Sequence, residues 1–118
     1  MNKILIALHD YQTARTLRIQ STARDYQVEV ASDIDKLLIE AEKQEYSRIL
    51  MDANFGYPNA QDVLPAIQVY QIIRQRVEQG LVKFLAISSN EEIVRLAQAS
   101  GIPAAYKPKF DLKEFLEE

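Results

Sequence analysis

Five short apolar segments recur along the chain and predict five β-strands. They lie at 4–8, 27–31, 49–51, 81–87 and 104–106. The first is a continuous apolar run with two β-branched residues, which is typical of a parallel strand buried on both faces. The second alternates apolar and polar residues and predicts a short strand. The third stops directly at a carboxylate, Asp52.

The segments between these strands carry the spacing of α-helices. Helices are predicted at 13–24, from 34 onward, at 66–79, at 90–100 and from 112 onward. The second has the clearest apolar face, since residues 34, 37, 38 and 41 follow the i, i+3, i+4, i+7 pattern. Ser32 is its predicted N-cap, with Asp35 as a weak capping-box partner. Gly80 and Gly101 are predicted to end the third and fourth helices.

Two further local predictions concern the third and fourth helices. The third should turn residues 67, 70, 73 and 77 toward the core, with Arg74 interrupting that face. The fourth should begin at an N-cap, Asn90, and turn Ile93, Leu96 and Ala97 inward.

The regular alternation of strand and helix predicts an α/β fold. Each parallel crossover covers one face of the sheet, so the expected architecture is a (βα)5 doubly wound, five-stranded parallel sheet of the flavodoxin-like type. A chain of 118 residues suits one domain, 1–118, with a single sheet.

Composition narrows the functional classes. Hydrophobic residues make up 47% and charged residues 26% of the chain, as in a soluble globular domain. The net charge of −3 argues against a nucleic-acid partner, and the absence of cysteine excludes disulfides and thiolate metal sites. The first apolar run is too short for a signal peptide or a membrane span, so we expect a cytoplasmic protein without a membrane partner.

Polar residues stand at the ends of four of the predicted strands. These are His9-Asp10, Asp52, Ser88-Ser89 and Lys107-Pro108. Taken singly, each has an ordinary structural interpretation, such as a turn cap for Asp52 or a loop start for Lys107. In doubly wound sheets, however, ligands bind outside the carboxyl ends of the strands. Two carboxylates, a hydroxyl and an ammonium group at one edge therefore predict a functional site.

At these positions the chain resembles the receiver domain of bacterial two-component response regulators. That family has an acidic pair after the first strand, a phosphoacceptor Asp after the third, Thr or Ser after the fourth, and Lys-Pro after the fifth. Arg15 and Leu17 in the first helix and the ending KPKFDLKEFL are further matches. The resemblance covers the whole chain.

The resemblance implies a phosphorelay function. Asp52 would accept a phosphoryl group from a histidine kinase or phosphotransfer domain, and the protein would signal to a downstream protein by contact. Asp10, Asp52 and the backbone carbonyl of Asn54 would bind Mg²⁺, the expected cofactor. Lys107 and Ser88 would contact the phosphoryl oxygens. The protein would not be an enzyme beyond Mg²⁺-dependent self-phosphorylation and self-dephosphorylation.

The sequence departs from the family pattern at three places. His9 replaces the first acid of the pair; a neutral imidazole could help hold a metal-bound water, or the ring could turn outward to solvent. The segment 55–65 is longer than usual and rich in apolar residues, so we expect it to cover the mouth of the site or form a partner surface. Ala104 stands where the family has an aromatic residue, with Tyr106 two residues further on.

Two functional classes follow from the match and its departures. The first is a phosphorylatable receiver. The second is a pseudo-receiver, in which the same fold serves as a phosphorylation-independent interaction module because His9 impairs the site. A flavodoxin-like cofactor binder is disfavoured, because no glycine-rich phosphate loop follows the first strand.

Overall fold

The computed structural model of the protein describes residues 2–56 and 62–117. Strands and helices alternate as predicted. The strands are β1 (Lys3–Ala7), β2 (Gln27–Val30), β3 (Arg48–Asp52), β4 (Lys83–Ser88) and β5 (Ala104–Tyr106). The helices are α1 (Tyr11–Thr22), α2 (Ile34–Glu42), α3 (Leu64–Glu78), α4 (Glu91–Ala99) and α5 (Leu112–Leu116), with a 3-10 turn at Lys107–Lys109. No helix in these two ranges is long and apolar enough to cross a membrane.

The strands form one parallel sheet in the order β2-β1-β3-β4-β5. The predicted doubly wound fold is thereby confirmed. The strand order reverses between β1 and β3, where Ala7 pairs with Met51. The ends of these two strands consequently lie side by side, at the place where such sheets bind ligands.

The two faces of the sheet carry separate cores because alternate strand residues point to opposite sides. Leu5, Ile49 and Met51 pack with residues of α2, α3 and α4 on one face. On the other face, Ile6 and Leu50 pack with residues of α1 and α5. Helices on both faces explain why the central strands read as continuous apolar runs rather than alternating ones.

The start of α2 differs from the prediction. Its N-cap is Asp33, not Ser32: the Asp33 carboxylate accepts a hydrogen bond of 2.8 Å from the Lys36 N–H. Ser32 and Asp33 are both good N-cap residues, and the spacing of the apolar residues does not separate two adjacent candidates.

The inward faces of α3 and α4 agree with the prediction except at one residue. In α3, Arg74 faces outward and pairs with Glu78 at 3.0 Å, and the residues predicted to face the core do contact it: Ile67, Tyr70, Ile73 and Val77. In α4, Ile93 and Ala97 are buried as predicted, but Leu96 is 45% exposed. Val94 is buried instead of Leu96, because the apolar pattern of this short helix allows either residue to face inward and tertiary packing selects between them.

The predicted helix boundaries at the far ends of α3 and α4 are confirmed. Gly80 and Gly101 follow these helices with φ angles of 75° and 80°. Such positive angles are readily adopted by glycine, which has no Cβ. At the start of α4, Asn90 is the N-cap and accepts a hydrogen bond of 2.9 Å from the Glu92 N–H.

A buried arginine fastens α5 to the sheet. Arg48, at the start of β3, is 8% exposed. Its Nε donates to the carbonyl of Phe115 at 3.0 Å, and its guanidinium also donates to the Ser47 carbonyl at 2.9 Å. The Tyr26 hydroxyl donates to the neighbouring carbonyl of Leu116 at 2.9 Å. The last turn of the five-residue helix is therefore held by side chains from two other elements.

In the part of the chain that the structure describes, one buried hydroxyl lacks a hydrogen-bond partner. Ser21, in the last turn of α1, is fully buried, and its Oγ has no hydrogen-bond partner among the described residues. We expect Ser21→Ala to raise the free energy of unfolding by about 1 kcal/mol, because it removes a desolvated polar group and adds a better helix former.

Chemical denaturation of wild type and Ser21→Ala measures this change. Ser100→Ala is the matched control, since Ser100 is exposed and its hydroxyl donates to the Leu96 carbonyl at 2.9 Å. We expect no gain from the control. A loss of stability in Ser21→Ala would mean that its hydroxyl has a partner in solution.

Candidate functional site

Asp52 lies at the centre of the predicted site. It is the last residue of β3 and is 4% exposed. Its Oδ2 accepts a hydrogen bond of 2.6 Å from the backbone N–H of His9, which follows β1. Its Oδ1 is 3.5 Å from Nζ of Lys107. Both carboxylate oxygens therefore face donors from neighbouring segments, which compensates the burial of the charge.

Lys107 directly follows the carboxyl end of β5 and extends toward Asp52. It is the first residue of the 3-10 turn Lys107–Lys109, and its side chain is 27% exposed. Pro108 follows at a turn position where its missing N–H is not needed for the hydrogen bonding of the turn. The Lys107 side chain is thus partly exposed, while its ammonium group lies beside Asp52.

Asp10 lies nearby and also caps α1. One carboxylate oxygen accepts from the Gln12 N–H at 3.0 Å, and the other accepts from the Thr13 hydroxyl at 2.6 Å. The Thr13 hydrogen bond first, and then that of Gln12, hold the pKa of Asp10 below its usual range; Lys107 contributes a smaller lowering. The role of Thr13 was not foreseen, although its spacing three residues after an Asp is that of an N-cap pair.

Ser88 occupies the end of β4. It is buried, and its Oγ accepts a hydrogen bond of 3.1 Å from the Asn90 N–H. The register pairs Asp52 with Ile87, so Ser88 lies one residue beyond Asp52 along the sheet. This contact uses the oxygen of the hydroxyl as acceptor and leaves its hydrogen available to donate.

His9 contacts the loop between β3 and α3. Its Nε2 is 3.3 Å from Oδ1 of Asn54, and its ring stacks on Phe55 with centroids 5.5 Å apart and planes at 30°. The residue as a whole is exposed. One side of the imidazole thus lies against the loop, and the rest faces solvent.

The described ends of the segment 55–65 pack against the body of the domain. Phe55 and Val63 are buried, and Leu64 is 46% exposed. Gly56 has a φ of 91°, and a Cβ there would lie 3.2 Å from Cβ of Ile34. Positions 57–61 lie outside the described residues, so it stays a prediction that the segment covers the mouth of the site or forms a partner surface.

The fifth strand has Ala104 and Tyr106 at the positions noted in the sequence. Tyr106 is the register partner of Ser88, and Ala104 that of Ala86. The carbonyl of Ala104 accepts a hydrogen bond of 3.0 Å from Nε2 of Gln98 in α4. The aromatic ring of β5 therefore belongs to the residue beside Ser88, at the end of the strand nearest the site.

The donor set at this edge fits Mg²⁺ by its chemistry. The predicted ligands, Asp10, Asp52 and the Asn54 carbonyl, offer oxygen atoms only, and Mg²⁺ commonly uses one or two carboxylates together with water. No group of three or more His, Cys, Asp and Glu residues in the described ranges is arranged to hold a metal. A site built from these residues would thus rely on two carboxylates, of which Asp10 is shared with the helix cap.

Several solved structures are similar to this chain. The receiver domain of a Francisella response regulator is 21% identical with a TM-score of 0.67, over 97% of this chain and 89% of that one. The receiver domain of a Pseudomonas aeruginosa sensor histidine kinase, solved with magnesium coordinated in its active-site cleft, is 21% identical with a TM-score of 0.67, over 96% and 89%. A Burkholderia pseudomallei response regulator with a phosphorylated aspartic acid, a calcium ion and citrate is 19% identical with a TM-score of 0.70, over 98% and 65%.

No protein-family model matches the sequence, and no curated protein matches it. At identities near 20% the structural likeness establishes the fold. The chain has the receiver fold of CheY-like response regulators, as its strand-end residues indicated.

Proposed function

We propose that this protein is a phosphorylatable receiver that takes a phosphoryl group on Asp52 from a histidine kinase or phosphotransfer protein and signals by protein contact. The observation that supports this most strongly is the setting of Asp52. A nearly buried carboxylate ends β3 at the switch point of the sheet, with an N–H donor on one oxygen and an ammonium group near the other. The lysine that follows β5 also places a positive charge where the oxygens of a transferred phosphoryl group would need one.

The arrangement suits phosphoryl transfer. An Asp52 oxygen would form a bond to phosphorus while the bond from phosphorus to the donor's nitrogen or oxygen breaks. Little covalent work remains for the protein, because this reaction depends mainly on positioning and charge neutralisation. The His9 N–H would fix the orientation of the carboxylate during the attack.

Lys107 and Ser88 would then stabilise the product. Lys107 would shift its ammonium group from Asp52 Oδ1 to a phosphoryl oxygen, and the free hydrogen of the Ser88 hydroxyl would be donated to another. Asp10, Asp52 and the Asn54 carbonyl would hold Mg²⁺, which supplies positive charge against the phosphoryl oxygens.

The second candidate is a pseudo-receiver that acts by contact without phosphorylation. Two observations favour it: His9 stands in place of an acid, and both oxygens of the Asp10 carboxylate are engaged by α1. This candidate predicts that no phosphoryl group is taken up.

A small phosphodonor with Mg²⁺ tests the proposal, with intact mass as the readout. We expect wild type to gain one phosphoryl group. Lys107→Met should gain it roughly 100-fold more slowly, since removing one preorganised charge at a reaction site typically costs that much. Lys109→Met is the matched control from the same turn, where the side chain is exposed, and it should react like wild type.

Two results would contradict the proposal. A wild type that takes up no phosphoryl group would favour the pseudo-receiver. Equal rates for wild type and Lys107→Met would show that the ammonium group beside Asp52 has no part in the transfer.

A further inference from the structure

We propose that the side chain of His9 is a positioning residue that holds the loop after β3 in place and thereby sets the lifetime of a phosphoryl group on Asp52. This inference rests on the proposed function. It starts from three contacts of one residue: His9 contacts the last residue of β3 and two residues of the loop that follows. The backbone N–H of His9 binds Asp52, its Nε2 lies beside the Asn54 amide oxygen, and its ring stacks on Phe55. We call the two side-chain contacts the His9 latch.

The loop side of the latch is firmly anchored. Phe55 is 3% exposed and belongs to the core beneath α2, α3 and α4. Its N–H donates to the carbonyl of Asp52 at 3.0 Å, which closes a tight turn directly after the phosphoacceptor. The next residue, Gly56, has no side chain and passes close to Ile34 of α2. The imidazole therefore stacks on a ring that the core holds in place.

The other side of the latch is the turn between β1 and α1. The His9 backbone cannot move far without losing its hydrogen bond of 2.6 Å to Asp52. Its ring also contacts the loop after β3. His9 therefore connects the turn after β1 with the loop after β3, on either side of Asp52. Asn54, half-buried and two residues beyond Asp52, has its amide oxygen directed to the imidazole.

This arrangement bears on hydrolysis of the phosphorylated protein. In that step a water oxygen bonds to phosphorus, the bond between phosphorus and the Asp52 oxygen breaks, and Asp52 and inorganic phosphate are released, with the protons passing to solvent. The water must approach phosphorus opposite the bond that breaks, and this is the solvent side because Asp52 itself is only 4% exposed. A loop that the latch holds in place would narrow that approach on the side of His9.

Loss of the latch should consequently shorten the lifetime of the phosphoryl group. We expect His9→Ala, which keeps the backbone N–H, to speed its loss by about two- to tenfold, the range that one hydrogen bond accounts for. Asn54→Ala should have a similar effect, because it removes the partner of the imidazole and keeps the backbone carbonyl. His9→Phe, which keeps the stacking on Phe55, should fall between wild type and His9→Ala.

The experiment is a double-mutant cycle on the dephosphorylation rate after removal of the phosphodonor. If the two side chains act as a unit, His9→Ala with Asn54→Ala should lose the group no faster than the faster single variant. If the rate increases of the two single variants multiply in the double variant, the residues act independently, and the proposed latch is overturned. An unchanged rate in His9→Ala would overturn it as well.

Amide hydrogen exchange of the unphosphorylated protein separates this inference from the proposed function. Exchange at Asn54, Phe55 and Gly56 should be faster in His9→Ala than in wild type and intermediate in His9→Phe. Equal exchange in all three would show that the ring does not hold the loop. A wild type that takes no phosphoryl group would overturn the proposed function and the lifetime role with it, whereas the exchange comparison still decides whether the latch exists.

Discussion

Asp52→Asn should take up no phosphoryl group under conditions that fully label wild type. The replacement is nearly isosteric, so the side-chain oxygen can still accept from the His9 N–H and the end of β3 should keep its shape. An amide nitrogen, however, has no free lone pair to attack phosphorus, and the amide carries no charge for Lys107 to pair with. Phosphoryl uptake should therefore be lost, while the folded structure is retained.

The matched control is Asp25→Asn. Asp25 is exposed in the turn after α1 and has a φ of 66°, a left-handed conformation that Asn adopts as readily as Asp. This variant should be labelled at the wild-type rate. Full labelling of Asp52→Asn, with its stability unchanged, would place the phosphoacceptor elsewhere and remove the basis of the proposed function.

Arg48→Ala should lower the free energy of unfolding by about 2–4 kcal/mol. The guanidinium is buried and donates to the carbonyls of Phe115 and Ser47. Truncation leaves the buried Phe115 carbonyl without this donor and a void beneath α5, whereas the Ser47 carbonyl keeps its bond from the Lys83 N–H. A domain of this size is stable by only about 5–15 kcal/mol, so the loss would be large. Urea denaturation, followed by circular dichroism, measures it.

A second arginine provides the control for this change. Arg95 is exposed in α4 and pairs with Glu91 at 3.9 Å, so Arg95→Ala should change stability by no more than about 0.5 kcal/mol. Amide exchange adds a local readout: α5 should lose protection in Arg48→Ala, while β1 and β3 keep theirs. Equal stability of the two variants would mean that Arg48 does not fasten the helix.

The features that the sequence predicted well depend on local pattern and on the order of elements. β5 spans the predicted residues 104–106, and α5 begins at the predicted Leu112. Asp52 and Lys107 lie far apart in the chain, but both follow parallel strands, whose carboxyl ends share one edge of the sheet. In the structure, Lys107 Nζ is 3.5 Å from Asp52 Oδ1. Strand-end residues are predictable because the topology, rather than fine packing, determines their position.

The features that the sequence did not reveal depend on tertiary contacts. Arg48 looked like an ordinary charged residue before a strand, and only the docking of α5 explains its burial. The stacking of His9 on Phe55 joins two loops whose approach no periodicity encodes. Asp10 could be assigned to the site, but its second role as the cap of α1 depended on the orientation of its side chain toward Thr13.

Location of the phosphoryl group by peptide mapping tests the central claim most directly. After treatment of wild type with a phosphodonor and Mg²⁺, borohydride reduces an acyl phosphate to an alcohol, which leaves a permanent mass change on the modified residue. We predict that this change falls on Asp52 alone and that chelation of Mg²⁺ before treatment prevents it. A modification mapped to Asp10 or to any other residue, or none in wild type, would contradict the assignment of Asp52 as the phosphoacceptor.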